Sequence, residues 1–249
     1  MDFKERVLKI ASRKKPEKLS WKKAALFLKD GAIGVIPTDT IYGLCASALD
    51  KKAVEKVYRL KKRDPKKPMI ILIGSLDDLR KFNIDLNAWQ KKILKKVWPG
   101  KVSVVLPCSE KRFAYLHKGT KTLAFRLPKK RELLKILSIS GPLAAPSANR
   151  EGQTPSKNIA QAQKYFGKNV FYYGKGDLTG APSTLIDLTQ KTDKIKILRE
   201  SKNIKSVIFY SPQSLAISEG WLTMPWPWVF SFLILIRSRI ICSFYIPLS

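Results

Sequence analysis

The sequence predicts an α/β protein built on a twisted mixed sheet with helices around it. Two observations point there: short apolar runs alternate along the chain with amphipathic, lysine-bearing segments, and Gly, Pro, Ser, Asp or Asn punctuates the boundaries. The runs are apolar at nearly every position, as expected for strands covered on both faces. At 249 residues the chain is long enough for one large domain, or one domain with an appendage, and for a substantial core. No internal repeat is visible.

Residues 3–14 are expected to form a basic amphipathic helix. Ser20 is the N-cap of a second helix, Trp21 to Lys29, which Gly31 ends. "AIGVIP" is a buried strand. Asp50 caps "KKAVEKVYRLKKR", in which Ala53, Val57 and Leu60 share a face, and "MIILI" at 69–73 is the next strand. Ser75 opens a short helix, and Asn87 to Trp98 is another, stopped by Pro99 and Gly100. "VSVVLP" and "TLAFRLP" are strands, 130–138 a helix, "PLAAPSA" a strand running into a loop, and 156–166 a helix. "VFYYG", "STLIDL" and "KIKIL" close the series as strands.

The formal charge is +29, from 48 Lys and Arg against 19 Asp and Glu. Such a field favours anionic partners such as RNA, nucleotides or acidic membranes, although a generally lysine-rich, soluble protein has the same composition. Cys45, Cys108 and Cys242 are far apart and form no CxxC, which supports neither a disulfide framework nor a zinc site and fits a reducing cytoplasm. His117 is the only histidine, which argues strongly against a histidine-based triad or a multi-histidine metal centre. The N-terminal stretch lacks the apolar core of a secretory signal. After Tyr210 the composition changes: Lys205 is the last lysine, Glu219 the last acid, and the remainder is rich in Trp, Phe and Ile. Its unbroken apolar part is shorter than the roughly 20 residues that span a bilayer. A membrane anchor and a read-through or frame-shifted extension both remain open for this tail.

Three polar clusters follow apolar or amphipathic segments, where ligands of open α/β sheets gather. "PTDTIYG" (37–43) holds no lysine and is either a polar turn or a pocket lining. "KKRDPKKP" (61–68) crowds five positive charges into a proline-stiffened segment, either a solvated loop or a polyphosphate grip. "APSANREGQTPS" (145–156) offers Ser147, Asn149 and Gly152, either ordinary turn material or a loop whose N–H groups approach phosphate or ribose. Arg126 alternates with apolar residues in "TLAFRLP". A guanidinium on a buried strand needs a partner, whether an internal acid or a ligand carboxylate.

"PTDTIYGL", "LKKRDPKKPMIIL", "VWPGKVSVVLP", "TLAFRLP", "PLAAPSAN", "STLIDL" and "ILRE" occur in the order and spacing of the YrdC-like family of threonylcarbamoyl-AMP synthases, which residues 20–208 resemble. The resemblance implies a concave, positively charged pocket and a nucleotidyltransferase: L-threonine, bicarbonate and ATP give threonylcarbamoyl-AMP and pyrophosphate. It also implies Mg2+ with ATP, a cytoplasmic location, and a partner complex that transfers the threonylcarbamoyl group to tRNA, with direct tRNA binding open. Thr38, Thr40, Tyr42, Arg126, Ala145 and Ser183 match threonine-site positions. Lys61 and Arg63 match the basic pair facing the ATP phosphates and are the expected catalytic residues. Lys67, Thr122, Ser147, Asn149, Thr154 and Arg199 match nucleotide contacts, with Ser156 an alternative to Thr154. Lys67 and Leu72 depart from the Asn and His found in relatives. The organisation implied is a basic helical segment over 1–19, a catalytic domain over 20–208 and an apolar tail over 209–249, the short form of the family. The rival reading is a domain of this fold that binds RNA or transfers carbamoyl groups without threonine-dependent synthesis.

Overall fold

In the computed structural model, which describes residues 19–190 and 195–201, nine strands form one mixed sheet. The helix expected over 3–14 and the tail from 209 lie outside the described residues. Helix α1 (Trp21–Lys29) begins where the Ser20 side chain accepts the Lys23 N–H, satisfying one of the free donors of the first turn. Gly31, at φ 81°, ends it in the left-handed region that glycine tolerates. Strand β1 (Gly34–Pro37) turns directly back into β2 (Tyr42–Ser47), with Pro37 opposite Tyr42. The sequence pattern leaves β2 out. Its small residues, Gly43, Cys45, Ala46 and Ser47, carry weak strand propensity, and sheet context overrides it. "PTDTIYG" is therefore a hairpin rather than a strand end.

Helix α2 (Lys51–Lys61) starts at Asp50, whose carboxylate accepts the Ala53 N–H at 3.1 Å. Its buried face is Ala53, Val54, Val57, Tyr58 and Lys61. Leu60 is only partly buried, so the helix is rotated from the expected face and turns its last lysine inward. Strand β3 (Ile70–Leu72) leads to a 3-10 helix, Leu76–Phe82. Helix α3 (Ala88–Val97) opens on a reciprocal capping box between Asn87 and Gln90. Strand β4 (Val102–Pro107) is followed by two helical turns that the pattern did not predict, Lys111–Phe113 and α4 (Ala114–His117). Then come β5 (Thr122–Arg126), α5 (Arg131–Ser140), β6 (Leu143–Ala144), α6 (Ile159–Phe166), β7 (Phe171–Tyr172), β8 (Thr184–Asp187) and β9 (Lys196–Arg199). Helix α6 begins later than the expected residue 156, because Asn158 takes the cap by accepting the Gln161 N–H at 3.0 Å.

Across the sheet the order is β7-β1-β2-β6-β3-β5-β4-β8-β9. The pairs β1/β7, β3/β5 and β4/β8 are parallel, and the rest antiparallel. Helices α1 and α5 pack together, burying Leu28, Leu133, Ile136 and Leu137 with Phe171 of the edge strand. Each such side chain contributes about 1.5–3 kcal/mol by leaving water. Phe171 stacks edge-on to Phe27 at 5.5 Å, and Gly34 makes room for its ring, where a Cβ would stand 2.2 Å from Cζ. On the other side of β2, the loop after β6 runs antiparallel: Gly43 bridges Ser147, Leu44 N–H donates to Pro146 O, and Ala148 N–H donates to Tyr42 O. This pairing fixes the third polar cluster against the first.

Candidate active site

A cavity of about 450 Å³ opens where the three polar clusters meet. That is within the range of small-molecule sites. Thr38, Thr40 and Ile41 come from the hairpin, Arg63 and Pro68 from the basic segment, and Ala145 and Ser147 from the loop after β6. Thr122 and Arg126 enter from β5, and Ser183 and Arg199 from the β8 and β9 side. Charged side chains on this wall are Arg63, Arg126, Arg199 and Asp187, so the lining is net positive.

At the hairpin end the proton inventory is nearly closed. Thr38 Oγ1 donates to Ile41 O at 2.6 Å and accepts the Thr40 and Ile41 N–H groups. Its single proton being spent, the 3.0 Å contact between the two threonine hydroxyls is donated by Thr40, which shares the two Thr38 lone pairs with those N–H groups. Thr40 Oγ1 in turn accepts from Arg126 Nη1 at 3.2 Å. One acceptor lone pair of Thr40 remains for a ligand, which suits an ammonium or a hydroxyl that donates. Arg126 is only 5% exposed, and its Nη2 lies 3.0 Å from Asp39 Oδ1. The internal partner that a buried guanidinium requires is thus Asp39, the hairpin acid. The contact lacks hydrogen-bond alignment, and Arg126 Nε has no hydrogen-bond partner among the described residues. Burial lowers the Arg126 pKa, and Asp39 opposes that shift.

At the basic end the structure separates residues that sequence grouped. Arg63 faces the cavity while its Nε and Nη2 donate to the carbonyls of Lys67 and Pro68. Lys61 does not line the cavity. Only 2% exposed, it aims Nζ at Ser147 O (2.8 Å), Asn149 O (2.9 Å), Asn149 Oδ1 (3.0 Å) and Ser147 Oγ (3.3 Å). Burial, reinforced by Arg63, brings its pKa down to about 8. Asn149 is buried in the same network, its amide donating to Arg150 O and Gln153 O. Lys67 is exposed and paired with Glu151 at 2.8 Å. Thr154 is exposed, offering only its carbonyl to Tyr165, whereas Ser156 is buried with its hydroxyl on Ala148 O. Neither lines the cavity, although their neighbour Pro155 does.

Tyr42 also stands away from the cavity wall. It is fully buried on β2, and its hydroxyl donates to Gly176 O at 2.8 Å. On the far wall, Ser183 Oγ lies 2.8 Å from Ser103 Oγ, and Arg199 Nε and Nη2 donate to the Ser183 carbonyl. Val105, Leu185 and Leu198 supply apolar lining there. The sequence pattern did not single out these three residues, Asp187 or Glu151. Glu151 was detectable in principle as an isolated acid in a chain where bases outnumber acids 48 to 19. Its carboxylate joins Lys67, Arg63 (3.9 Å) and the Asp64 N–H, tying the basic segment to the loop after β6. Among the described residues no group of three or more His, Cys, Asp or Glu is placed to hold a metal, and no helix is long and apolar enough to cross a membrane.

Paired hydroxyls and a buried arginine thus lie at one end of the cavity of this α/β protein, with a basic loop at the other. Residues 26–201 match the Sua5, YciO and YrdC family, described as telomere recombination, and the chain belongs to that family. It is 36% identical over 170 residues to the threonylcarbamoyl-AMP synthase of Pyrococcus abyssi, covering 67% of this chain but only 50% of that one. It is 32% identical over 164 residues to the threonylcarbamoyl-AMP synthase of Thiobacillus denitrificans, covering 65% of this chain and 87% of that relative. The crystal structure of P. abyssi Sua5 complexed with L-threonine superposes with a TM-score of 0.66 at 33% identity, over 74% of this chain and 55% of that one.

Proposed function

We propose that this protein is an L-threonylcarbamoyladenylate synthase, forming threonylcarbamoyl-AMP and pyrophosphate from L-threonine, bicarbonate and ATP. The observation that carries the reading is the single cavity joining a Thr40–Arg126 end to an Arg63–Ser147 end, together with relatives named for that activity. The Arg126 guanidinium pairs with the threonine carboxylate, and the free lone pair of Thr40 accepts from its hydroxyl or amine. The threonine nitrogen adds to CO2 and gives up a proton to water, or adds to bicarbonate with loss of water, to give a carbamate, whose oxygen attacks the α-phosphorus as pyrophosphate leaves. Arg63 faces the phosphates, while Lys61 holds the Ser147–Asn149 loop and adds its charge from behind. Orientation carries the catalysis, since the free amine and carbamate need little proton transfer from the protein. Mg2+ supplied with ATP would offset the phosphate charge, and Asp187, the one carboxylate on the cavity wall among the described residues, would be the residue to help hold it.

The product serves a cytoplasmic complex that passes the threonylcarbamoyl group to tRNA. The deciding experiment incubates the full chain with ATP, Mg2+, bicarbonate and each amino acid in turn and follows pyrophosphate. Release that depends on threonine supports the proposal. The charge of +29 also suits a domain that only binds RNA, and RNA binding without any turnover would favour that rival.

A further inference from the structure

The segment between β7 and β8, residues 174–183, crosses the hairpin that carries Thr38 and Thr40, and three contacts bind it there. Gly174, at φ 112°, lies over Pro37 so closely that a Cβ would stand 2.7 Å from Pro37 Cγ. The buried Tyr42 hydroxyl donates to Gly176 O at 2.8 Å. Gly180 lies against the Thr40 peptide, and a Cβ there would stand 2.2 Å from Thr40 O and 3.2 Å from its carbonyl carbon. The outer side of the segment is tied down as well, by Leu178 N–H to Lys157 O at 2.7 Å and by Asn158 Nδ2 to Asp177 Oδ1 at 3.0 Å. It then delivers Pro182 and Ser183 to the cavity wall.

Gly180 is not among the residues with positive φ, so its backbone is one that other residues adopt; what excludes a side chain is the Thr40 peptide itself. Backbone cannot swing aside as a flexible side chain does, so a methyl at this position must displace either the strap or Thr40. We propose that Gly180 and Tyr42 are positioning residues: they clamp the 174–183 strap onto the hairpin and thereby set the place of Thr40 and the fit of the amino-acid substrate. The inference rests on the amino-acid site proposed above. Burial, with Asp177 adding to it, raises the Tyr42 pKa, so the phenol keeps the proton it donates to the strap.

Gly180→Ala and Tyr42→Phe test the clamp on the full chain, the first by adding bulk and the second by deleting one hydrogen bond without adding any. A shift of Thr40 by about 1 Å raises KM for L-threonine about 10- to 100-fold in Gly180→Ala, with KM for ATP within about twofold of wild type. Tyr42→Phe moves KM for threonine in the same direction by about threefold. Unchanged threonine KM in Gly180→Ala, or equal rises for both substrates, overturns the inference; should that variant not fold, the same split in Tyr42→Phe decides. If the wild type releases no pyrophosphate with threonine, the proposed function falls, and the clamp is judged by hydrogen exchange alone. Faster exchange of the Thr40 and Ile41 amides in both variants upholds it, and exchange equal to wild type overturns it.

Discussion

A buried cation lies in the wall at one end of the cavity and another behind the loop at the other end, and the protein holds them differently. Arg126 has a carboxylate, Asp39, at 3.0 Å, whereas the Lys61 ammonium is surrounded by carbonyl and side-chain oxygens of Ser147 and Asn149 without a carboxylate among its hydrogen bonds. A formal counter-charge offsets much of the cost of burying a guanidinium, while neutral dipoles satisfy the ammonium protons without cancelling the charge. The consequence is opposite chemistry. At the hairpin end positive charge is already met, so a ligand carboxylate must share Arg126 with Asp39. At the basic end charge is left over, which is the condition that phosphates require.

Removing the shared arginine breaks the contrast most severely. In Arg126→Ala, threonine-dependent pyrophosphate release falls below detection, and thermal unfolding shows a loss of about 3–5 kcal/mol because Asp39 is left buried and alone. The double variant Asp39→Asn/Arg126→Met separates the two roles. It regains most of that stability and none of the activity if Arg126 binds substrate; recovered activity would reduce Arg126 to an internal ion pair.

Lys61→Met tests the uncancelled charge at the other end, and kcat/KM for ATP is expected to fall about 100-fold while the threonine KM changes less. The wild-type pH profile gives a second readout. Above pH about 8 Lys61 becomes neutral in the folded chain and loses a donor that Ser147 and Asn149 use, so kcat/KM for ATP declines at saturating threonine and bicarbonate. Stability moves the other way. Unfolded Lys61 keeps its proton up to its ordinary value of 10.5, so between about 8 and 10.5 the unfolded state binds more protons, and this group's contribution to stability rises with pH.

Smaller effects sharpen the picture. Ser183→Ala removes a hydroxyl at the cavity wall and is expected to cut discrimination against valine about tenfold, the worth of one hydrogen bond of roughly 1.4 kcal/mol, measured as the ratio of kcat/KM values. Glu151→Gln ranks last. Its pairs with Lys67 and Arg63 lie near solvent, so calorimetric stability is expected to stay at the wild-type value, with KM for ATP falling less than about twofold as a competing anion disappears.

Much of this architecture was legible from periodicity and caps. Ser20, Asp50 and Asn87 each mark a helix start where the structure has one, because a cap acts on donors within its own first turn. Strand β2 was not legible, since its small residues become a strand through β1 on one side and β6 on the other. In the site, alternation within "TLAFRLP" correctly buried Arg126, and the three polar clusters do converge on one cavity. Tyr42 and Lys61 stand away from the cavity wall for a shared reason. Their residue types suit ligand contacts, but the turn of α2 and the pairing of β2 direct both side chains into the protein.

By itself the sequence determined the helix starts, the apolar strands and the chemical character of the three loops, because those depend on residues within a turn or a pleat of one another. Tertiary structure alone decided which cation meets which oxygen. Asp39 lies 87 positions from Arg126, Lys61 lies 88 from Asn149, and Gly180 lies 140 from Thr40. Contacts at that separation follow from strand order and loop packing, which no local pattern encodes. The same loops in another sheet order would have kept their charges and hydroxyls but not the cavity between them.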